Sequence, residues 1–261
     1  MKVDDSIIKA YTEGQPASVY SNRWIFHSLD SEKMFTEPSL ERIPEVISCH
    51  EQLLELYNNF TLRNEGLIRT VFSDVTSVVK NANILHTVGL PWPYAALMCG
   101  HEGVDYVVFD LIHFSNSILK GADISAGVSN LLTHELVHVL INAEYGRDGD
   151  FSYSDKLDFI SFHEGFAHLL SYKENIENYQ YGDEYKARFV AAKERLALAL
   201  KEIDPELQNQ YILESSTGDY WDKFAAASSM IYLMKHIGSL KEIYEAGWKG
   251  YAQSIVDFVW E

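Results

Sequence analysis

The stretch THELVHVLINAEY, residues 133–145, places two histidines and a glutamate inside an otherwise apolar run. Leu131, Leu132, Leu136, Val139 and Leu140 recur at spacings that give a helix a broad apolar face, so the stretch reads as a core helix. Asp123 or Ser125 is its expected cap at the start, and Gly146 suits a left-handed position at its end. On that helix His134 and His138 are four positions apart, about 40° in projection and one turn above each other. Both imidazoles can meet one metal ion. Glu135 lies one position round the same edge, where it would contact a water on the metal. This is the mechanical sense of H-E-x-x-H: two zinc ligands and a general base. A buried helix should not carry three such groups without partners, since each unpaired polar group there costs roughly 1–3 kcal/mol.

A catalytic zinc takes three protein ligands and keeps one position open, so a third donor is required. Glu144 stands six residues past His138, the spacing of the HExxHxxGxxH signature, but Ile141 holds the place of the glycine that would break the helix. An unbroken helix carries Glu144 too far to fold back. The segment FHEGFAHLL, 162–170, offers His163, Glu164 and His168 on a helix expected from about Asp155 to Glu174. His163 and His168 are five apart, about 140° round the helix, and cannot form a second H-E-x-x-H pair. Glu164 and His168 share a face. Glu164 is the preferred third ligand, with apolar neighbours on every side and Gly165 beside it to let the two helices approach. His168 is the alternative ligand, or else supports the site or contacts the substrate. His163 reads as structural. One zinc ion on His134, His138 and Glu164 is therefore expected.

Outside these helices the chain is mixed. VDYVVFDLIHF, 104–114, is the best strand candidate, following a PWP breaker at 91–93. A helix is expected from Pro38 through Phe60 with Pro44 disturbing its first turns, and another around 65–80. Later helices are expected in DEYKARFVAAKERLALALKEI, ended by Asp204-Pro205, in YWDKFAAASSMIYLMKHIG, and in YAQSIVDFVW. The fold class is α+β: an N-terminal α+β lobe over 1–120, and active-site helices with a helical C-terminal lobe over 121–261, forming one catalytic unit.

Composition narrows the partners. With 38 acidic and 21 basic side chains the net charge is −17, which repels nucleic acid and anionic membrane surfaces. No signal-peptide core or membrane span is seen, so the expectation is a cytoplasmic protein. Cys49 and Cys99 have no CxxC partner and read as small buried residues. Oligomeric state is not legible.

THELVH together with FHEGFAHLLSY resembles the gluzincin zinc metallopeptidases, of the peptidase-MA-like and aminopeptidase N-like clan, and FAAASSMIYLMKHIGSLKEIYEAG is similar to the region that follows in them. The resemblance implies a zincin-like fold, zinc on His134, His138 and Glu164, Glu135 as base, and VDYVVFDLI as the strand whose open edge receives the substrate backbone. It also implies an oxyanion donor before the later helix. Tyr220 is the candidate, with His168 and Tyr153 behind it. His163 stands where the family has Asn, and CGHEGVD, with Glu102, occupies the place of the amine-binding G-x-M-E-N strand. The expected function is hydrolysis of peptide or protein substrates through a zinc-activated water. A catalytically inactive zincin-fold binding or regulatory protein, and a zinc hydrolase of a non-peptide bond, are the alternatives.

Overall fold

The computed structural model describes residues 1–28, 34–92, 94–119, 124–146, 149–173 and 175–260. Asp123 and Glu174, expected at helix ends, lie outside the described residues. In chain order the first elements are β1 (Lys2–Asp4), α1 (Ser6–Thr12), α2 (Ile43–Asn58), α3 (Glu65–Val71), α4 (Val75–Asn81), β2 (Asn83–Thr87), β3 (Ala96–His101) and β4 (Val104–Asp110). There follow α5 (Leu111–Leu119), α6 (Ser125–Tyr145), α7 (Tyr153–Tyr172), α8 (Asp183–Ala199), α9 (Pro205–Ser216), α10 (Phe224–Lys235), α11 (Leu240–Ala246) and α12 (Tyr251–Asp257). The architecture is α+β, and the contacts divide it into two compact units, residues 1–62 with 74–139, and residues 63–73 with 140–261.

The first unit is organised by a four-stranded mixed sheet in the order β1-β2-β4-β3. β1, β2 and β4 run parallel, and β3 returns antiparallel along β4. The β3–β4 turn is two residues long, and both Glu102 (φ 50°) and Gly103 (φ 78°) adopt the positive φ that a tight hairpin needs. β2 is buried along nearly its whole length, as a parallel strand covered on both faces must be. Arg42, at the start of α2, donates to Ser115 Oγ at 2.7 Å and Asn116 Oδ1 at 2.8 Å, tying α2 to α5.

Four expectations about the first 120 residues change. The run 104–114 is a strand only as far as Asp110, whose buried carboxylate accepts from the Leu90 amide at 2.7 Å and the Ile112 amide at 3.0 Å. Asp110 thus ends β4 and opens α5, acting on the local backbone as an N-capping side chain does. Nor is β4 an open edge, because β2 and β3 pair with its two sides. The strands at the sheet's margins are β1 and β3. Pro44 sits in the first turn of α2, where a missing N–H costs nothing, so the helix begins there and not at Pro38. The helical run expected at 65–80 is two helices, α3 and α4.

The second unit is helical. α7 starts at Tyr153 under a capping box between Ser152 and Asp155. Its Asp158 carboxylate accepts from the Gly250 and Ala252 amides, both at 2.8 Å, and so caps α12. Gly165 meets α10: a Cβ there would lie 2.6 Å from Ser229 Cβ and overlap its hydroxyl. The glycine's close approach is therefore to α10, and not to the helix carrying HELVH. Asp204-Pro205, expected to end α8, lies beyond it: α8 ends at Ala199. Asp204 accepts from the Glu206 amide at 2.8 Å, Pro205 occupies the first turn, and α9 begins. Among the described residues no helix is long and apolar enough to cross a membrane, and Cys49 and Cys99 are buried thiols not joined in a disulfide.

Candidate metal centre

α6 supplies the first two donors. Val128, Leu132, Leu136, Val137, Leu140 and Ile141 are buried along it, while Leu131 is 37% exposed, so the apolar stripe is slightly rotated from the expected one. Glu135 and His138 are buried among these side chains. His134 Nε2 and His138 Nε2 face each other 3.1 Å apart, their rings at 83°. Two imidazole nitrogens at that separation can share one proton between them, but cannot both carry one. The distance also suits a second arrangement. Two nitrogens about 2.05 Å from one tetrahedral ion would stand about 3.3 Å apart.

Glu164, on α7, completes the trio. One ligand atom from each of His134, His138 and Glu164 lies within 4.8 Å of the others, and this is the only such His/Cys/Asp/Glu group among the described residues. Two imidazoles and a carboxylate are a nitrogen and oxygen set suited to zinc, and three protein donors leave a fourth position for water or substrate. The donor chemistry and the nitrogen spacing fit a divalent metal ion.

The remaining candidates fall in distinct places. His168 is outside the trio, and its Nε2 lies 3.4 Å from Glu164 Oε2, one turn along α7. It is a partner of the carboxylate. Tyr220 packs edge-on against His168, with ring centres 5.0 Å apart, and stacks on Tyr172. Its hydroxyl donates to Met230 Sδ at 3.3 Å. Desolvation, with the nearby Tyr172 phenol adding to it, pushes the Tyr220 phenol well above its ordinary range, so it stays protonated at neutral pH. Tyr153 donates to the Ala199 carbonyl at 2.9 Å, an engagement that belongs to the α7–α8 packing. Glu144 accepts from Tyr244 at 3.0 Å. His163 packs on Phe159, ring centres 4.0 Å apart, as a structural residue would. Glu102 is a turn carboxylate with 85% of its side chain exposed, 4.0 Å from its neighbour His101.

One polar cluster has no counterpart in the sequence reading. In the first unit His50 Nδ1 lies 2.9 Å from His86 Nδ1, and His86 Nε2 lies 2.7 Å from the Tyr57 hydroxyl. Asp5 Oδ2 stands 3.6 Å from His50 Nε2. His86 is fully buried, and burial lowers its pKa to about 3, so the ring is neutral. The pair is 36 residues apart in sequence, and no helical or strand spacing could have joined them.

Comparison with known proteins finds no matching family model, no matching curated protein and no matching solved structure.

Proposed function

We propose that the protein is a zinc-dependent metallopeptidase of gluzincin type, with zinc on His134, His138 and Glu164 and with Glu135 as general base. The observation that carries this reading is the convergence of the three donor groups, with an ionisable carboxylate one residue after the first of them. An α+β frame with an antiparallel strand at the sheet's margin is compatible with a zincin-like fold. In that frame β3 takes over from β4 the role of pairing with an extended substrate backbone.

When bound, zinc would polarise the scissile carbonyl and acidify a water molecule. Glu135, held in apolar surroundings, receives the proton that water gives up as its oxygen forms the new bond to the carbonyl carbon. It then returns that proton to the amine nitrogen as the C–N bond breaks. His168, whose Nε2 lies 3.4 Å from Glu164 Oε2, would steady that carboxylate. Tyr220 is the proposed oxyanion donor. Its present acceptor is a thioether, a weak one, so turning the hydroxyl toward substrate sacrifices little.

The test is a peptide-library digest with and without chelator, paired with metal analysis. Wild type should carry one zinc per chain and cleave. Glu135→Gln should keep its zinc and lose on the order of 10²–10⁴ in kcat. Equal turnover by the two proteins would remove Glu135 from catalysis, and purified protein without stoichiometric zinc would overturn the site itself.

A further inference from the structure

A groove of about 600 Å³ runs along α8, the end of α9 and the 217–224 link into α10. Its apolar wall is formed by Trp221, Phe224, Leu213 and Ala192. Charged side chains also line it, and they differ in how they are used. Arg195 gives its guanidinium to Glu214 at 2.6 Å, and Gln210 donates to the second oxygen of that carboxylate at 2.6 Å. That pair is closed. Arg188 lies over the Trp221 ring, 4.1 Å from its centre, and forms no ion pair among the described residues. Asp222, in the 217–224 link, also lines the groove and has no side-chain hydrogen bond or ion pair among the described residues; its backbone amide donates to the Asp219 carbonyl. One cation and one anion therefore line a single aromatic-walled groove without an ion-pair partner among the described residues.

We propose that this groove binds a small zwitterion with a large apolar side chain, a free amino acid or a dipeptide. Its carboxylate would meet Arg188, its ammonium Asp222, and its side chain would lie on Trp221 and Phe224. The charges decide against simpler ligands. An anion would gain Arg188 but face Asp222 and the repulsion of a chain carrying −17 overall. A cation would face Arg188. A neutral apolar molecule would desolvate both charges and compensate neither. A zwitterion has no net charge for the long-range field to repel and makes both contacts as charge-assisted hydrogen bonds. The volume suits a ligand of that size. The inference is independent of the metal centre.

Calorimetric titration of the full chain with L-phenylalanine tests it. Saturable binding at one site per chain is expected, with phenylalaninamide and N-acetylphenylalanine each weaker by about tenfold or more for want of one charge. Arg188→Gln should abolish the preference for the free carboxylate, and Asp222→Asn the preference for the free ammonium. Phenylalanylphenylalanine, titrated in a Glu135→Gln background to prevent turnover, identifies the dipeptide as the fitting ligand if it binds more tightly than the amino acid, and the amino acid if it does not. Glu164→Gln should leave the affinities within about twofold, which separates the groove from the metal reading. No saturation, equal affinity for all three phenylalanine probes, or loss of binding with Glu164→Gln would each overturn the proposal.

Discussion

Two pairs of histidines in this chain hold ring nitrogens in near contact, His134 with His138 at 3.1 Å and His50 with His86 at 2.9 Å. Distance alone does not tell them apart. In the second pair the other nitrogen of each ring also has a polar neighbour, His86 a hydrogen bond with Tyr57 and His50 the Asp5 carboxylate at 3.6 Å, so the rings are links in a chain of polar contacts. In the first pair a ring nitrogen of each histidine lies within 4.8 Å of a Glu164 carboxylate oxygen, and donor atoms grouped so closely are what a cation needs. A close histidine pair becomes a candidate ligand set when a third donor points at the same place.

The contrast can be broken most directly by deleting one member of each pair. His138→Ala should lower zinc affinity by on the order of 10³ or more, enough to empty the site on dialysis. His86→Ala should leave zinc content unchanged and cost about 2–4 kcal/mol of stability, because it strands the His50 nitrogen and the Tyr57 hydroxyl. Metal analysis beside a denaturant titration reads both. A folded His86→Ala protein that has lost its zinc would erase the distinction.

The next effect bears on how the third donor is held. Gly165→Ala, beside Glu164, forces a methyl group into Ser229, and about 3 kcal/mol or a Tm drop of roughly 6–12 °C is expected. Ser229→Gly in the same chain should recover part of that loss. A Gly165→Ala protein as stable as wild type would mean that α7 and α10 move apart easily. A smaller change should follow His168→Ala, where zinc affinity falls 10–100-fold, the usual consequence of removing a partner of a ligating carboxylate. Competition with a chelator of known affinity measures it, and an unchanged affinity would leave His168 a packing residue.

The weakest signal sharpens the other side of the comparison. Because burial lowers the His86 pKa from 6.5 to about 3, its contribution to stability is fully present above pH 6.5 and is lost as pH falls toward 3. Asp110 acts oppositely: burial raises its pKa from 3.8 to about 6, so its contribution is present below pH 3.8 and is lost as pH rises through 6. The overall pH–stability curve therefore mixes two trends. NMR of the His86 ring isolates one of them, and the ring should remain neutral at pH 5.

What could be read from the sequence follows from where the signals lie. HELVH and the Glu164–His168 pair are local, fixed by four-residue spacing on helices, and the fold brings His134, His138 and Glu164 together. The α+β class was equally visible in one β-branched run among helical periodicities. What failed depended on partners distant in sequence. Nothing within VDYVVFDLIHF says that β2 and β3 occupy both its sides, or that Asp110 will turn to the Leu90 amide. Gly165 announced a close helix approach without naming Ser229 as the neighbour. α9 is a different case: Asp204-Pro205, expected as a stop, acts as a start, because α8 has already ended at Ala199.

Asn64 gives the second unit an unusual dependence on time. Held at φ 47°, its side-chain amide donates to the carbonyls of Leu170 and Lys173, and its oxygen accepts from the Ile176 amide. The residue belongs to a segment, 63–73, that joins the unit from far upstream. On a ribosome adding about 5–20 residues per second, a separation of 106 residues means that Asn64 emerges about 5–20 s before Leu170 exists to receive it. The three hydrogen bonds that Asn64 makes in the folded unit can therefore form only after that interval.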